Sequence, residues 1–155
     1  MANSLYDKGR QKFAEAGINW LTDDIRVVGI DAAAYTVSVA NHEFLSDVPV
    51  GSRIAAPVSL ISKTTTNGAC DAADASFISV AGPSIEALII YKWTGSEATS
   101  PLIAYLDTGT GLPITPNGGD LVATWDNGIN KIFRLYGAVM TVVIHSTDVG
   151  APSLG

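Results

Sequence analysis

The sequence has little charge and almost no cysteine or histidine, and each shortage excludes a class of protein. Charged residues make up 15% of the 155 positions, against about 25% in an average soluble protein. Nine basic and fifteen acidic residues give a net charge of −6, and no cluster of Lys and Arg interrupts that balance. We therefore expect no nucleic-acid partner, because such binding needs a positive surface that displaces counterions. Cys70 is the single cysteine, so no internal disulfide can form.

Long hydrophobic runs are also missing. The longest, residues 87–91 and 138–144, are far shorter than the ~18 residues that span a bilayer. Residues 1–17 include five charged side chains and no apolar core of the kind found in signal peptides. We expect neither a membrane partner nor an export signal.

The apolar content, 47%, is enough for the core of one domain. The N-terminus predicts a helix over residues 4–16, with Ser4 as N-cap, Leu5 and Phe13 on one side and Gly17 as its stop. Gly9 in the middle costs about 1 kcal/mol relative to Ala, so this helix needs a partner surface.

After residue 17 the hydrophobic period changes from about 3.6 to 2, and Asn-Gly and Gly-Gly pairs mark tight turns. The pattern predicts an all-β, jelly-roll-like β-sandwich with a short N-terminal helix and a C-terminal extension. The expected divisions are a helical arm (1–17), the sandwich (18–145) and a C-terminal arm (146–155). The candidate strands are residues 25–31, 34–39, 52–57, 60–66, 75–80, 85–93, 102–107, 120–125, 131–135 and 139–145.

Two hairpins are predicted from neighbouring strands. The first joins residues 102–106 to 121–125 through a long loop, and long surface loops often carry contacts. The second joins residue 125 to residue 133. The apolar residues 136–144 then either complete the home sheet or reach a neighbouring molecule.

One short motif carries a catalytic alternative. Asp107-Thr108-Gly109 after an apolar strand resembles the active-site triplet of aspartic peptidases, in which two aspartates share a proton. The chain has one copy, and its downstream candidate segment, Leu135-Tyr136-Gly137, comes too soon. A turn at the end of a strand explains the triplet better, and we expect Asp107 not to be catalytic.

No other pattern specifies chemistry. His42 and His145 are far apart in sequence, and neither Asp23-Asp24 nor Asp71 with Asp74 has calcium-loop spacing. We therefore predict no catalytic residue, no cofactor and no metal site. The tryptophans at 20, 93 and 125 could line a sugar platform, but a core or interface position is favoured.

Four segments carry a family resemblance: residues 1–10 (MANSLYDKGR), 18–25 (INWLTDDI), 41–49 (NHEFLSDVP) and 111–120 (GLPITPNGGD). They resemble small virion proteins of tailed bacteriophages, over about residues 1–135. The resemblance implies a non-enzymatic structural protein, with a capsid decoration (cement) protein favoured over a tail or neck component.

The partners that follow are a second or third copy of the chain, in a dimer or trimer, and the phage major capsid protein. The expected location is the capsid surface of the virion, after assembly in the host cytoplasm. The candidate interface residues are Leu5, Tyr6, Phe13, Trp20, Val139, Met140, Val142 and Ile144.

Overall fold

A computed structural model of the chain describes residues 2–135 and 142–144. It contains one α-helix, α1 (Asp7–Ala14), among these residues. The strands are β1 (Ser4–Leu5), β2 (Ile25–Ile30), β3 (Arg53–Ser59), β4 (Thr64–Thr66), β5 (Ala69–Asp71), β6 (Ala75–Phe77), β7 (Ala87–Lys92), β8 (Leu102–Leu106), β9 (Leu121–Ala123) and β10 (Phe133–Arg134). The prediction of a largely all-β chain with a short N-terminal helix is confirmed.

The strands form three antiparallel sheets in the described part of the chain. The largest has the order β1-β8-β7-β2-β3, and the smaller ones have the orders β10-β5-β4 and β6-β9. Strands β2, β7 and β8 lie inside the large sheet and are almost continuously apolar. Such runs are typical of strands that are covered on both faces.

The two faces of the large sheet carry separate cores. On the face that we call the loop face, Val28 and Ile30 pack with Tyr35, Leu45 and Val48 from the connection between β2 and β3. These five side chains are at most 4% exposed. The long connection is therefore a cover for this face.

On the opposite face, which we call the cleft face, the two small sheets form the cover. Ile25 and Val27 of β2 belong to one cluster with Cys70 of β5, Phe77 of β6 and Phe133 of β10. Trp20 is part of the same cluster and meets the Phe133 ring edge-on, with 5.2 Å between centroids. The small strands thus gain their stability from packing on the large sheet, since isolated short strand pairs are marginal.

The N-terminal residues are integrated into this body. Ser4 and Leu5 pair with β8, and the Tyr6 N–H donates to the carbonyl of Ile103 at 2.9 Å. Tyr6 is fully buried, and Gly9 lies so close to β8 that an added Cβ would sit 2.4 Å from the Leu102 carbonyl oxygen. Within the segment expected as a helical arm (1–17), residues 4–9 are therefore packed on the sheet.

Several local predictions are wrong. The helix begins at Asp7 with Tyr6 as its N-cap, because Ser4 is taken up by strand pairing. Residues 34–39 form no strand. Tyr35 is buried there, and Val37 and Val39 pack against the same core.

Both predicted hairpins are also wrong. Strand β8 pairs with β1 and β7, whereas β9 pairs with β6. Strand β10 pairs with β5. The predicted strand at 139–145 lies mostly outside the described residues.

Candidate functional site

An apolar cleft of about 650 Å³ opens on the cleft face. It lies between the ends of β7 and β8, the loop of residues 107–120, and β9. Leu88, Leu106, Leu112 and Leu121 line it and are half-buried. The lining side chains include two ionisable ones, Asp126 and Lys131. Asn3, Thr108, Thr110 and Thr124 also line the cleft, so its surface is mixed, with more apolar than polar area.

The cleft keeps its shape because the loop is fixed to the body at two places. Ile85 and Ile114 exchange backbone hydrogen bonds of 2.8 and 2.9 Å. Farther along, the Val80 N–H donates to the Gly119 carbonyl at 2.9 Å, and the Ser79 N–H donates to the Asp120 carboxylate at 2.8 Å. Leu112 precedes both anchors and is joined to Pro113 by a cis peptide bond. Sequence analysis singled out this loop only for its length. Aliphatic residues inside a Gly- and Pro-rich loop were the available indication of this cleft.

The triplet Asp107-Thr108-Gly109 begins this loop and is closed by the side chain of Asn3. The Asn3 Oδ1 accepts the N–H groups of Asp107 and Thr108 at 2.8 and 2.9 Å, and its Nδ2 donates to the Thr108 carbonyl at 3.0 Å. The Thr108 hydroxyl donates to the Asp107 carboxylate at 3.1 Å. Asn3 thus caps the backbone at the end of β8, where the loop begins. The expectation that Asp107 is not catalytic stays a prediction.

His42 belongs to a chain of aromatic side chains on the loop face. The Tyr35 hydroxyl lies 2.7 Å from Nδ1 of His42 and 3.1 Å from the Tyr6 hydroxyl. Burial raises the pKa of Tyr6 well above its ordinary value, and it raises the pKa of Tyr35 to about 12. Both hydroxyls therefore stay protonated near neutral pH. The hydrogen bonds among Tyr6, Tyr35 and His42 link the N-terminal segment to the connection between β2 and β3.

The acidic pairs make contacts within the protein. Asp23 pairs with Lys92 at 3.0 Å and Asp24 with Arg26 at 2.8 Å. Asp71 lies 3.8 Å from Lys131, and Asp74 accepts the Trp125 N–H at 3.1 Å. Within residues 2–135 and 142–144, no group of three or more His, Cys, Asp and Glu side chains is placed to hold a metal ion.

The cysteine and the tryptophans are mostly interior. Cys70 is 2% exposed, and burial raises the pKa of its thiol to about 11, so little thiolate is present at neutral pH. Trp20 and Trp125 are 3% and 8% exposed and donate their indole N–H groups to backbone carbonyls. Trp93 is half-buried beneath the Arg26 guanidinium, 4.9 Å from the ring centroid. The three rings do not form a joint exposed platform.

The six predicted interface residues that the structure describes fall into three groups. Tyr6 and Trp20 are buried in the chain's own cores, which leaves no side-chain surface for a partner in this conformation. Leu5 and Phe13 are half-buried against the cleft-face core. Val142 and Ile144 are 79% and 59% exposed, whereas Val139 and Met140 lie outside the described residues.

Sequence analysis missed a second apolar surface, on the outward face of β6 and β9. Val122 is 59% exposed and pairs across the strands with Ser76, and Ile78, 68% exposed, follows β6 on the same side. Residues 75–78 alternate between buried and exposed positions. This period of two could have predicted that Ile78 faces outward.

No family model matches the chain, and no curated protein matches it significantly. In the described part of the chain, the helix is too short to cross a membrane.

Proposed function

We propose that this protein is a non-enzymatic structural component of a tailed-phage virion, most directly a decoration (cement) protein on the capsid surface. The proposal continues the sequence resemblance of residues 1–10, 18–25, 41–49 and 111–120. Its partners are further copies of the chain, as a dimer or trimer, and the phage major capsid protein. A tail or neck component is the alternative placement.

The main support for the proposal is that a chain with little charge exposes apolar side chains at several places on its surface. The cleft, the Ile78 and Val122 surface, and residues 142–144 all present aliphatic side chains to solvent. Apolar surfaces of this kind commonly mark contact sites with other proteins. A protein that coats a shell has contacts with copies of itself and with the shell, and each contact can be weak because many act together.

A jelly-roll-like sandwich is part of the proposal. Its support is that residues of both small sheets pack over one face of the large sheet. In the large sheet the consecutive strands β2 and β3 are neighbours, as are β7 and β8. An experimental structure that traces the whole chain tests whether the remaining connections follow the two Greek keys of a jelly roll.

The peptidase alternative has less support. Asp107 lies in a turn whose hydrogen bonds are made by Asn3 and Thr108. Purified protein that cleaves peptides at acid pH, with activity abolished in Asp107→Asn, would establish that alternative and overturn the structural proposal.

The direct test is the number of copies in purified particles of the phage that encodes the chain. Quantitative mass spectrometry is expected to find hundreds of copies per particle, and electron microscopy is expected to place them on the shell. Tens of copies located on the tail or neck would replace the cement proposal by its alternative. Absence from particles would refute both virion placements.

A variant pair tests which surface contacts the shell. Ile78→Asp combined with Val122→Asp is expected to lower occupancy on shells lacking the protein, because a charge opposes burial of that surface. Val50→Asp is the matched control, because Val50 is 70% exposed and follows the loop-face residue Val48. Equal occupancy for the double variant and the control would remove this surface from the proposal.

A further inference from the structure

Three Asn-Gly pairs lie in connections between strands, and the proposed function assigns them no chemistry. The pairs are Asn67-Gly68, Asn117-Gly118 and Asn127-Gly128, and all three asparagines are exposed. Asparagine is a chemically labile residue, and before glycine it can lose its side-chain ammonia without an enzyme. The reason is that glycine has no side chain to hinder attack by its own amide nitrogen on the carboxamide. The surroundings of the three pairs differ, so we expect different rates.

The first pair is held by hydrogen bonds to its carbonyl groups. Asn67 and Gly68 form the two-residue connection between β4 and β5, with φ angles of 51° and 80°. The Asn67 carbonyl accepts the Arg134 guanidinium at 3.1 Å, and the Gly68 carbonyl accepts the Leu135 N–H at 2.8 Å. Attack by the Gly68 nitrogen on the Asn67 side chain would rotate the peptide group between the two residues. That rotation would move the Asn67 carbonyl away from Arg134, which opposes the reaction.

The second pair has an occupied nucleophile. The Gly118 N–H donates to the Val80 carbonyl at 2.7 Å. The Asn117 carboxamide is held as well, because its Oδ1 accepts the Gly119 N–H at 3.0 Å. Loss of the Gly118 proton would break the first of these bonds and leave the Val80 carbonyl without this donor. We therefore expect slow reaction at this pair in the folded protein.

The third pair is less restrained and has a carboxylate beside it. Within residues 2–135 and 142–144, neither the Asn127 carboxamide nor the Gly128 N–H makes a hydrogen bond. A Cβ added at Gly128 would lie 2.8 Å from Oδ2 of Asp126, so this carboxylate lies against the Gly128 backbone. The Lys131 Nζ lies 3.4 Å from the Asn127 carbonyl oxygen and brings a positive charge to the same place.

We propose that Asn127 is a site of self-modification in the native protein. Asp126 takes the proton of the Gly128 N–H as a general base, and the nitrogen attacks the side-chain carbonyl carbon of Asn127. A new C–N bond closes a succinimide ring, and the bond to the side-chain nitrogen breaks as ammonia leaves with that proton. Water then opens the ring at either carbonyl, which gives aspartate or isoaspartate.

The product changes the charge at the edge of the cleft. Asp126 and Lys131 line the cleft, and Asn127 lies between them in sequence. Either product places a carboxylate next to Asp126 and adds one negative charge to the net charge of −6. Isoaspartate also lengthens the main chain between the buried rings of Trp125 and Phe133. This inference concerns the chain alone and does not depend on the proposed function.

Peptide mapping by mass spectrometry compares the three pairs in one sample. Purified full-length protein is incubated in mildly alkaline buffer, with and without urea, and the conversion of each asparagine to aspartate or isoaspartate is followed. In the native protein we expect Asn127 to react about 10-fold faster than Asn67 and Asn117, or more, since general-base catalysis supplies at least this factor. In urea the three rates should converge, because the restraints and the placement of Asp126 are then lost.

Three variants test the assigned roles. Asp126→Asn is expected to lower the native rate at Asn127 to the rate found in urea, because it removes the base and keeps the shape of the side chain. Asn127→Gln should abolish the acidic form that isoelectric focusing separates from the native protein. Asn130→Gln is the matched control, since Asn130 is an exposed asparagine of the same connection that is followed by lysine, and it should keep the acidic form.

The outcomes decide between a structural site and an ordinary labile sequence. Equal native rates at the three pairs, or rate ratios in the native protein that persist unchanged in urea, overturn the inference. A wild-type rate at Asn127 in Asp126→Asn also overturns it, since the carboxylate then takes no part. Particle occupancy is a separate measurement, so the proposed function can fail while this inference holds, and the reverse.

Discussion

The substitution Gly9→Ala tests whether the glycine in the middle of α1 is needed for the close approach of the helix to β8 or is only a weak helix former. From helix propensity alone, the substitution stabilises the protein by about 1 kcal/mol. In the folded chain, however, the added Cβ would lie 2.4 Å from the Leu102 carbonyl oxygen and 3.2 Å from the Ile103 Cα. Both are backbone atoms of β8, so neither can rotate away. Overpacking costs about 1–3 kcal/mol, and backbone neighbours favour the upper end. We therefore expect a net loss of about 2 kcal/mol.

Urea unfolding followed by tryptophan fluorescence measures this change, and a thermal scan is expected to show a decrease in Tm of about 4–8 °C for a chain of this size. Gly51→Ala is the matched control, because an added Cβ there meets nothing within 4 Å; we expect its stability to stay within about 0.5 kcal/mol. A Gly9→Ala protein as stable as the wild type, or more stable, would refute the close approach of α1 to β8.

Three further predictions follow from buried or capped groups. Tyr6→Phe is expected to cost about 1 kcal/mol in urea unfolding, because the buried Tyr35 hydroxyl loses a partner. Burial opposes ionisation of Asp47, but two backbone N–H donors outweigh it and lower the pKa of Asp47 below its ordinary 3.8. The stability that the protein gains from this pKa shift is present above roughly pH 4 and is lost as the pH falls through the folded-state pKa of Asp47. The difference in unfolding free energy between the wild type and Asp47→Asn should therefore shrink in acid. A difference that stays constant with pH would contradict this prediction. Cys70 is expected to react with a thiol reagent only after unfolding, and rapid reaction of the native protein would contradict its burial.

The positions of most strands were predictable, whereas their partners were not. Short apolar runs and turn residues are local properties, and they mark β2, β7 and β8 well. Pairing depends on residues far apart in sequence: β9 meets β6 across more than 40 positions. The apolar run of residues 102–106 did contain one clue, since it is typical of a strand that is covered on both faces, but it does not identify the paired strands β1 and β7.

The candidate site was predictable in part. Val142 and Ile144 have exposed apolar side chains, and their interface role stays a prediction. Tyr6 and Trp20 are equally apolar in sequence but buried, because composition alone does not separate a core aromatic from an interface aromatic. The cleft required the fold, since Leu88 and Leu112 come together only through the anchoring of the loop at Ile114.

The two faces of the large sheet differ in how completely the described chain covers them. The loop-face core has three half-buried hydrophobic neighbours, whereas the cleft-face core has twelve. A partner that covers a half-buried aliphatic side chain removes its remaining apolar surface from water, and this burial is favourable. Assembly is therefore expected to stabilise the cleft face, with its short strands and its loop, more than the loop face. Hydrogen exchange measured in the free protein and in the assembly should show added protection at β9 and residues 107–120, and unchanged protection around Tyr35 and Leu45. Added protection confined to the loop face would locate the contact on the other side of the sheet and refute this argument.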